Sequence, residues 1–272
     1  MKRGPGARPA RTTAASGGGF RPISPAALAA GLADLVLRRL DVPSSGGRVR
    51  LVVDGLDTSG AGTLADAVAG ELAATGVAVV RLDTRWWWRA ASLRLELGHQ
   101  DVDMLLSGWV DGDALTREAL GPLGPGGSGR HLTRLRDPDT DRSVREPYRQ
   151  APDRVVTVLS GPFLLLPPIG PDPEESRERG TSERGLRPLE PEESRERGTS
   201  ERGLRPSDTA RPSWELAVHL HCSPQAAARQ LPDDRQWWVP AWRRYLQERP
   251  QDRADMVVAA DHPASPAVRG LA

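Results

Sequence analysis

Three consecutive tryptophans, Trp86, Trp87 and Trp88, follow an apolar run that ends at Asp83. Flat aromatic rings at the carboxyl edge of an open α/β sheet are placed to stack on a planar ligand such as a nucleobase. Three adjacent residues cannot all face one pocket, so at least one of them packs inside or lies on the surface. Trp86 and Trp87 are the candidate substrate contacts. His219 and His221 are two residues apart on a strand-like run and share a face, whereas Cys222 points the other way, which is poor geometry for a zinc site. A single cysteine also excludes an intrachain disulfide and a cysteine-rich metal centre. The pairs Asp101/Asp103 and Asp111/Asp113 read as helix caps. Lysine occurs once, as Lys2, so the cationic chemistry of any site falls to arginine.

The elements that must position these residues alternate between strand and helix. Ser24-Pro25 opens a helix to Leu40, with Ser24 as N-cap and Pro25 in the first turn. Val49 to Asp54 is a short apolar β-branched run of the kind buried in a parallel sheet. Small residues from Gly55 to Gly62 lead into a helix over 63–74 that Gly76 stops, and Val77 to Asp83 is a second strand. Strand, glycine loop, helix and strand in so short a span form a βαβ unit. The pattern over 86–120 is helical but interrupted. Runs at 132–136 and 142–145 flank the turn-forming Asp137–Asp141 stretch and suggest a small hairpin. Further strands are expected at 154–159, 214–220 and 255–259, with a helix starting at Ser223-Pro224. Trp237, Trp238, Trp242 and Tyr245 recur at helical spacing and read as a helix face docked on the core. The alternation predicts an α/β fold with a parallel sheet of about five strands.

Length and composition bound the rest. At 272 residues the chain can bury a good-sized core. Residues 1–19 are rich in Gly, Ala, Arg and Pro and read as a disordered N-terminal arm without the apolar stretch of a signal peptide. No apolar run reaches the length of a membrane span, so a cytoplasmic protein is expected. A net charge of +1 gives no electrostatic case for nucleic acid. The segment Pro173–Pro188 recurs unchanged as Pro191–Pro206, each copy carrying four Glu and four Arg with one leucine. Such a segment has nothing to pack, so 171–210 reads as a disordered duplicated insertion that divides one domain into 20–170 and 211–272.

The run Val52-Val-Asp-Gly-Leu-Asp-Thr-Ser-Gly-Ala-Gly-Thr-Leu-Ala65 resembles the first strand and phosphate loop of the uridine kinase-like P-loop nucleoside kinases. Leu123–Gly127, the Asp137–Asp141 turn with Glu146-Pro147, Ser160–Leu165 and Ala254–Val258 resemble later landmarks of that family, in the same order. The resemblance implies a P-loop-type three-layer fold, a lid near 223–250, and ATP with Mg²⁺ as cofactors. It further implies a nucleoside as phosphate acceptor, while the charge and the short apolar runs give no nucleic-acid partner and no membrane. In such a loop, backbone N–H groups cradle the phosphates, a lysine neutralises the developing charge and a hydroxyl holds the metal. Gly55 and Gly60 keep the glycine frame, with Ser59, Ala61, Gly62 and Thr63 as the other nucleotide-binding positions. Ala61 stands at the lysine position and Gly62 at the hydroxyl position, with Thr63 one residue late; a deletion of both residues aligns equally well, and the lysine is absent in either case. Ser160 replaces an acidic residue that would help organise the metal, and Asp57 puts a negative charge in the loop. By the same resemblance Asp83 is the base that accepts the proton of the nucleoside 5′-hydroxyl. The reading from the residues alone is a cap or turn. Arg229 and Arg235 lie where the lid would supply arginines to a triphosphate, and guanidinium does not fit the cradle as lysine does.

Two functions follow. One is an ATP-dependent nucleoside kinase with an impaired phosphate loop and lid arginines in place of lysine. The other is a non-catalytic nucleotide- or nucleoside-binding relative with a regulatory role. A motor ATPase or GTPase is disfavoured by the missing Walker B aspartate and base-specificity motif.

Overall fold

The structure is a computed structural model that describes residues 19–166 and 214–270. The duplicated segment at 173–188 and 191–206 and most of the N-terminal arm lie outside the described residues. Strand β1 (Arg21–Pro22) leads into helix α1 (Pro25–Leu40), which Ser24 caps by accepting from the Ala27 N–H. Next come β2 (Arg48–Asp54), α2 (Ala61–Ala74) and β3 (Ala78–Asp83). The interrupted region holds α3 (Ala91–Arg94), α4 (Val102–Ser107) and α5 (Gly112–Leu115). Asp101 and Asp111 are the N-caps of α4 and α5, accepting from the N–H groups of Met104 and Ala114.

The excursion that follows is a nested hairpin. Its outer pair is β4 (Arg130–His131) with β5 (Arg149–Gln150), and its inner part is a single antiparallel bridge, Arg136 to Ser143. The inner arms expected as strands at 132–136 and 142–145 are thus reduced to one bridge. The Glu146 carboxylate takes over part of the ladder's work, accepting from the N–H groups of Thr133 and Arg134 and from the Thr133 hydroxyl. Strands β6 (Val155–Gly161) and β7 (Leu216–His221) return to the sheet. Helices α6 (Pro224–Gln230) and α7 (Trp238–Gln247) fill the segment read as a lid, and β8 (Met256–Ala259) and β9 (Ala267–Arg269) close the sheet.

The sheet has seven strands in the order β1-β9-β8-β7-β2-β6-β3. The five from β3 to β8 are all parallel, while β9 and β1 add an antiparallel edge that the sequence pattern did not indicate. Their shortness explains this, because a two- or three-residue strand carries no readable period. Every residue of β2 and β6 is buried, as expected for parallel strands covered on both faces. On one face α1 and α2 close over Leu51, Val53, Val156, Val158 and Val218. On the other, Leu56, Phe163, Trp238, Trp242 and Tyr245 form one apolar cluster, and Val52, Leu82, Trp87 and Leu159 another. This is a three-layer α/β sandwich. Among the described residues no helix is long and apolar enough to cross a membrane.

Candidate active site

The loop after β2 and the turn after β3 lie at the carboxyl edge of the sheet, flanking the point where strand order reverses. The loop folds back on itself. Asp57–Ser59 forms a single 3₁₀ turn, in which Ser59 N–H donates to Leu56 O at 2.9 Å and Gly60 N–H to Asp57 O at 3.1 Å. The Ser59 hydroxyl also donates to Leu56 O, at 2.6 Å, and Gly55 N–H is taken by Gly161 O at 3.1 Å. Gly60 adopts a φ of 84° as the N-cap of α2, a left-handed value that suits glycine. Ala61 is buried, whereas Gly62 and Thr63 reach a cleft of about 810 Å³.

That cleft lies between the start of α2, strand β3 and the hairpin. Asp57, Gly62, Thr63, Asp83, Arg85 and Trp86 line it, with Arg134 and Arg149 from the hairpin side. The structure therefore brings together part of the 55–63 loop, Asp83 and Trp86. Asp83 serves as N-cap of the Thr84–Trp87 turn, accepting from the Arg85 N–H at 2.8 Å. Its other carboxylate oxygen takes the Arg85 guanidinium at 3.1 Å, and that hydrogen bond raises the guanidinium's pKa. Cap and cleft position coincide in this one residue.

Trp86 lies at the cleft with the Arg134 guanidinium 4.9 Å from its ring centroid, so one ring face already carries a cation. Trp87 is placed elsewhere. It is fully buried among Val52, Leu82 and Leu159, and its indole N–H has no partner there. Its proposed contact with substrate gives way to packing, because a short turn after β3 drives the middle tryptophan inward. Arg229 is exposed at the end of α6 and does not line the cleft. Arg235 reaches the loop, but its guanidinium donates to Asp57 Oδ2 at 3.2 Å and lies 5.6 Å from the Trp238 ring centroid.

The opposite sheet face holds a polar cluster in which Asp54, given no role from sequence, joins His219 and Tyr245. Asp54 ends β2 and is register partner of His219 on β7, so their side chains point to the same face. The Asp54 carboxylate is fully buried and accepts three hydrogen bonds: His219 Nδ1 at 2.7 Å, the Tyr245 hydroxyl at 2.7 Å and the Leu164 N–H at 2.8 Å. Tyr245 O–H in turn accepts from the Leu165 N–H at 3.2 Å, and the Trp242 ring stacks on His219. The cluster binds strand β2, which carries the 55–63 loop, to α7. A signal existed in the sequence. Asp54 and His219 are polar residues inside otherwise apolar strand runs, and a buried charge needs a partner. Cys222 is buried, which pushes its thiol up to about 11 and leaves it a poor nucleophile.

Mg²⁺ and a triphosphate are the groups that the uridine kinase resemblance implies, and the residues present do not fit them. Ala61 offers no cation, Ser59 spends its hydroxyl on Leu56, and Asp57 sets a carboxylate at the loop mouth and holds Arg235. Among the described residues no group of three His, Cys, Asp or Glu side chains is placed to hold a metal ion.

No protein-family model matches the sequence, and no curated protein matches it. Among solved structures, a possible uridine kinase from Bacillus stearothermophilus superposes with a TM-score of 0.53 at 19% identity, covering 84% of this chain and 96% of that one. A candidate fructose transport system kinase from Silicibacter sp. TM1040 gives a TM-score of 0.48 at 16% identity, covering 83% and 94%. The first of these superpositions shows that the chain has the α/β fold of P-loop kinases.

Proposed function

We propose that this protein is a nucleoside-binding relative of the P-loop nucleoside kinases that does not transfer phosphate. The observation that carries this reading is the Asp57–Arg235 pair, 3.2 Å apart, at the mouth of a loop whose own hydrogen bonds are turned inward. An exposed pair of this kind contributes roughly 0–1 kcal/mol to stability, so its importance is electrostatic. The cation that a lid arginine would bring to phosphate is already neutralised by a carboxylate of the loop. The loss of one preorganised cation costs about 10²–10³ in rate, and this loop lacks the lysine as well. The cleft with Trp86 and Asp83 remains open to a nucleoside such as uridine, with Trp86 as stacking surface and Asp83 as acceptor for a ribose hydroxyl.

Calorimetry on the purified protein tests this directly. Uridine should give a binding isotherm, ATP with Mg²⁺ should give none, and the mixture should form no nucleotide product. Uridine-dependent ADP formation that disappears in Asp83→Asn would overturn the proposal. It would establish instead an ATP- and Mg²⁺-dependent uridine kinase with arginine in place of lysine. That second reading draws on one observation, that Gly62, Thr63, Asp83 and Arg85 share a cleft.

A further inference from the structure

We infer that the Arg81 guanidinium is a resident cation that takes the electrostatic place of a divalent metal in this cleft. The inference rests on the cleft being the ligand site, and its test is independent of which ligand binds. Ser160 and Asp83 are register partners on β6 and β3, and Ser160 also pairs with Val53 on β2, so all three point to the α2 side of the sheet. Arg81 precedes Asp83 by two residues on the same strand and therefore shares that face. Its Nη2 donates to the Ser160 hydroxyl at 2.7 Å and its Nε to Asp66 Oδ1, on α2, at 2.7 Å. Its Nη1 donates to the carbonyls of Leu82 and, at 3.5 Å, Val158. One planar cation thus joins β3, β6 and α2 in the fork geometry that guanidinium favours.

The oxygen groups on this face that suit a hard cation are Thr63, Asp66, Asp83 and Ser160, with Asp57 at the cleft mouth already held by Arg235. Arg81 holds Asp66 and Ser160, and Arg85 holds Asp83. Mg²⁺ requires about six oxygen ligands in near-octahedral array. Here it would have to displace two guanidinium groups from three carboxylate or hydroxyl partners while standing beside their charges. Where the resemblance has an acidic residue, Ser160 presents a hydroxyl instead, and the Arg81 guanidinium, held between that hydroxyl and the Asp66 carboxylate, stands among these oxygens as a metal ion would. The cleft accordingly takes its ligand metal-free.

Mn²⁺ alone is the probe, followed through the electron paramagnetic resonance signal of the free aquated ion, on full-length protein whose melting curves establish folding. Wild type should leave the signal unchanged. Ser160→Asp alone should also leave it unchanged, because the new carboxylate pairs with Arg81. Arg81→Met/Ser160→Asp should bind Mn²⁺ at least about tenfold more tightly than either. If the methionine variant does not fold, Arg81→Gln/Ser160→Asp retains a donor at this position and takes its place. Three results overturn the inference: wild-type Mn²⁺ binding that Asp83→Asn abolishes, Ser160→Asp binding as tightly as the double variant, or a folded double variant that binds no better than wild type. Uridine titrations in excess EDTA are run in parallel. Their failure would overturn the nucleoside reading and leave the metal result standing.

Discussion

Asp54→Ala removes the acceptor on which Leu164, His219 and Tyr245 converge. Those three donors, at 2.7–2.8 Å, sit around a carboxylate that is fully buried, so no solvent replaces it. A buried donor left without its acceptor costs about 1–3 kcal/mol. Three such losses would reach about 3–9 kcal/mol, and partial relaxation brings the expectation to about 4–6 kcal/mol. For a domain of this size that corresponds to a fall in Tm of roughly 10–20 °C. Asp54→Asn should cost less, about 1–3 kcal/mol, because the amide oxygen keeps the Leu164 bond and both His219 and the Tyr245 hydroxyl can become acceptors. Urea denaturation followed by tryptophan fluorescence measures the difference as a shift in midpoint at constant slope. A double-mutant cycle with Tyr245→Phe should give a coupling of about 1–3 kcal/mol, since the two groups touch. If Asp54→Ala unfolded within about 1 kcal/mol of wild type, the claim that this cluster fastens the loop-bearing strand to α7 would be refuted.

Burial, and then the neighbouring Asp54 charge, raise the Tyr245 phenol well above its ordinary value of 10.0. Below that value its stabilising contribution is fully present. Above it the unfolded chain binds fewer protons than the native one, so stability should fall by about 1.4 kcal/mol per pH unit from this residue. Urea midpoints should show no slope from this residue up to about pH 10, and between about pH 10 and 11 this slope in wild type and a shallower one in Tyr245→Phe. Gly161→Ala places a methyl group 1.9 Å from Thr84 Oγ1, which is itself buried. It should destabilise by about 1–3 kcal/mol, and Thr84→Ala in the same chain should recover part of that loss in thermal melts.

The βαβ unit from β2 to β3, the later parallel strands, the caps Asp101 and Asp111, and the core-facing side of α7 were legible because each is local. Apolar periods, N-cap chemistry and a glycine loop act within a turn or two of their own position. The functional assignments were less legible, and for a common reason. Trp86 and Trp87 are indistinguishable as residues, and only the path of the turn after β3 sends one to the cleft and the other into the core. Asp83 is both cap and cleft residue, so either description from sequence captured half of its position. Arg235 and Asp57 are 178 positions apart, and Asp54 lies 165 from His219 and 191 from Tyr245. Arg81 meets Ser160 only because β6 inserts between β2 and β3. The order of strands and their register are set by how the whole sheet buries its apolar faces, a non-local sum that no local pattern encodes. By itself, then, the sequence determined the class of fold, the loop that lacks its lysine and the arginine-only chemistry around it. Tertiary structure alone decided which charges neutralise one another, because a carboxylate and a guanidinium choose their partners by distance in the folded chain.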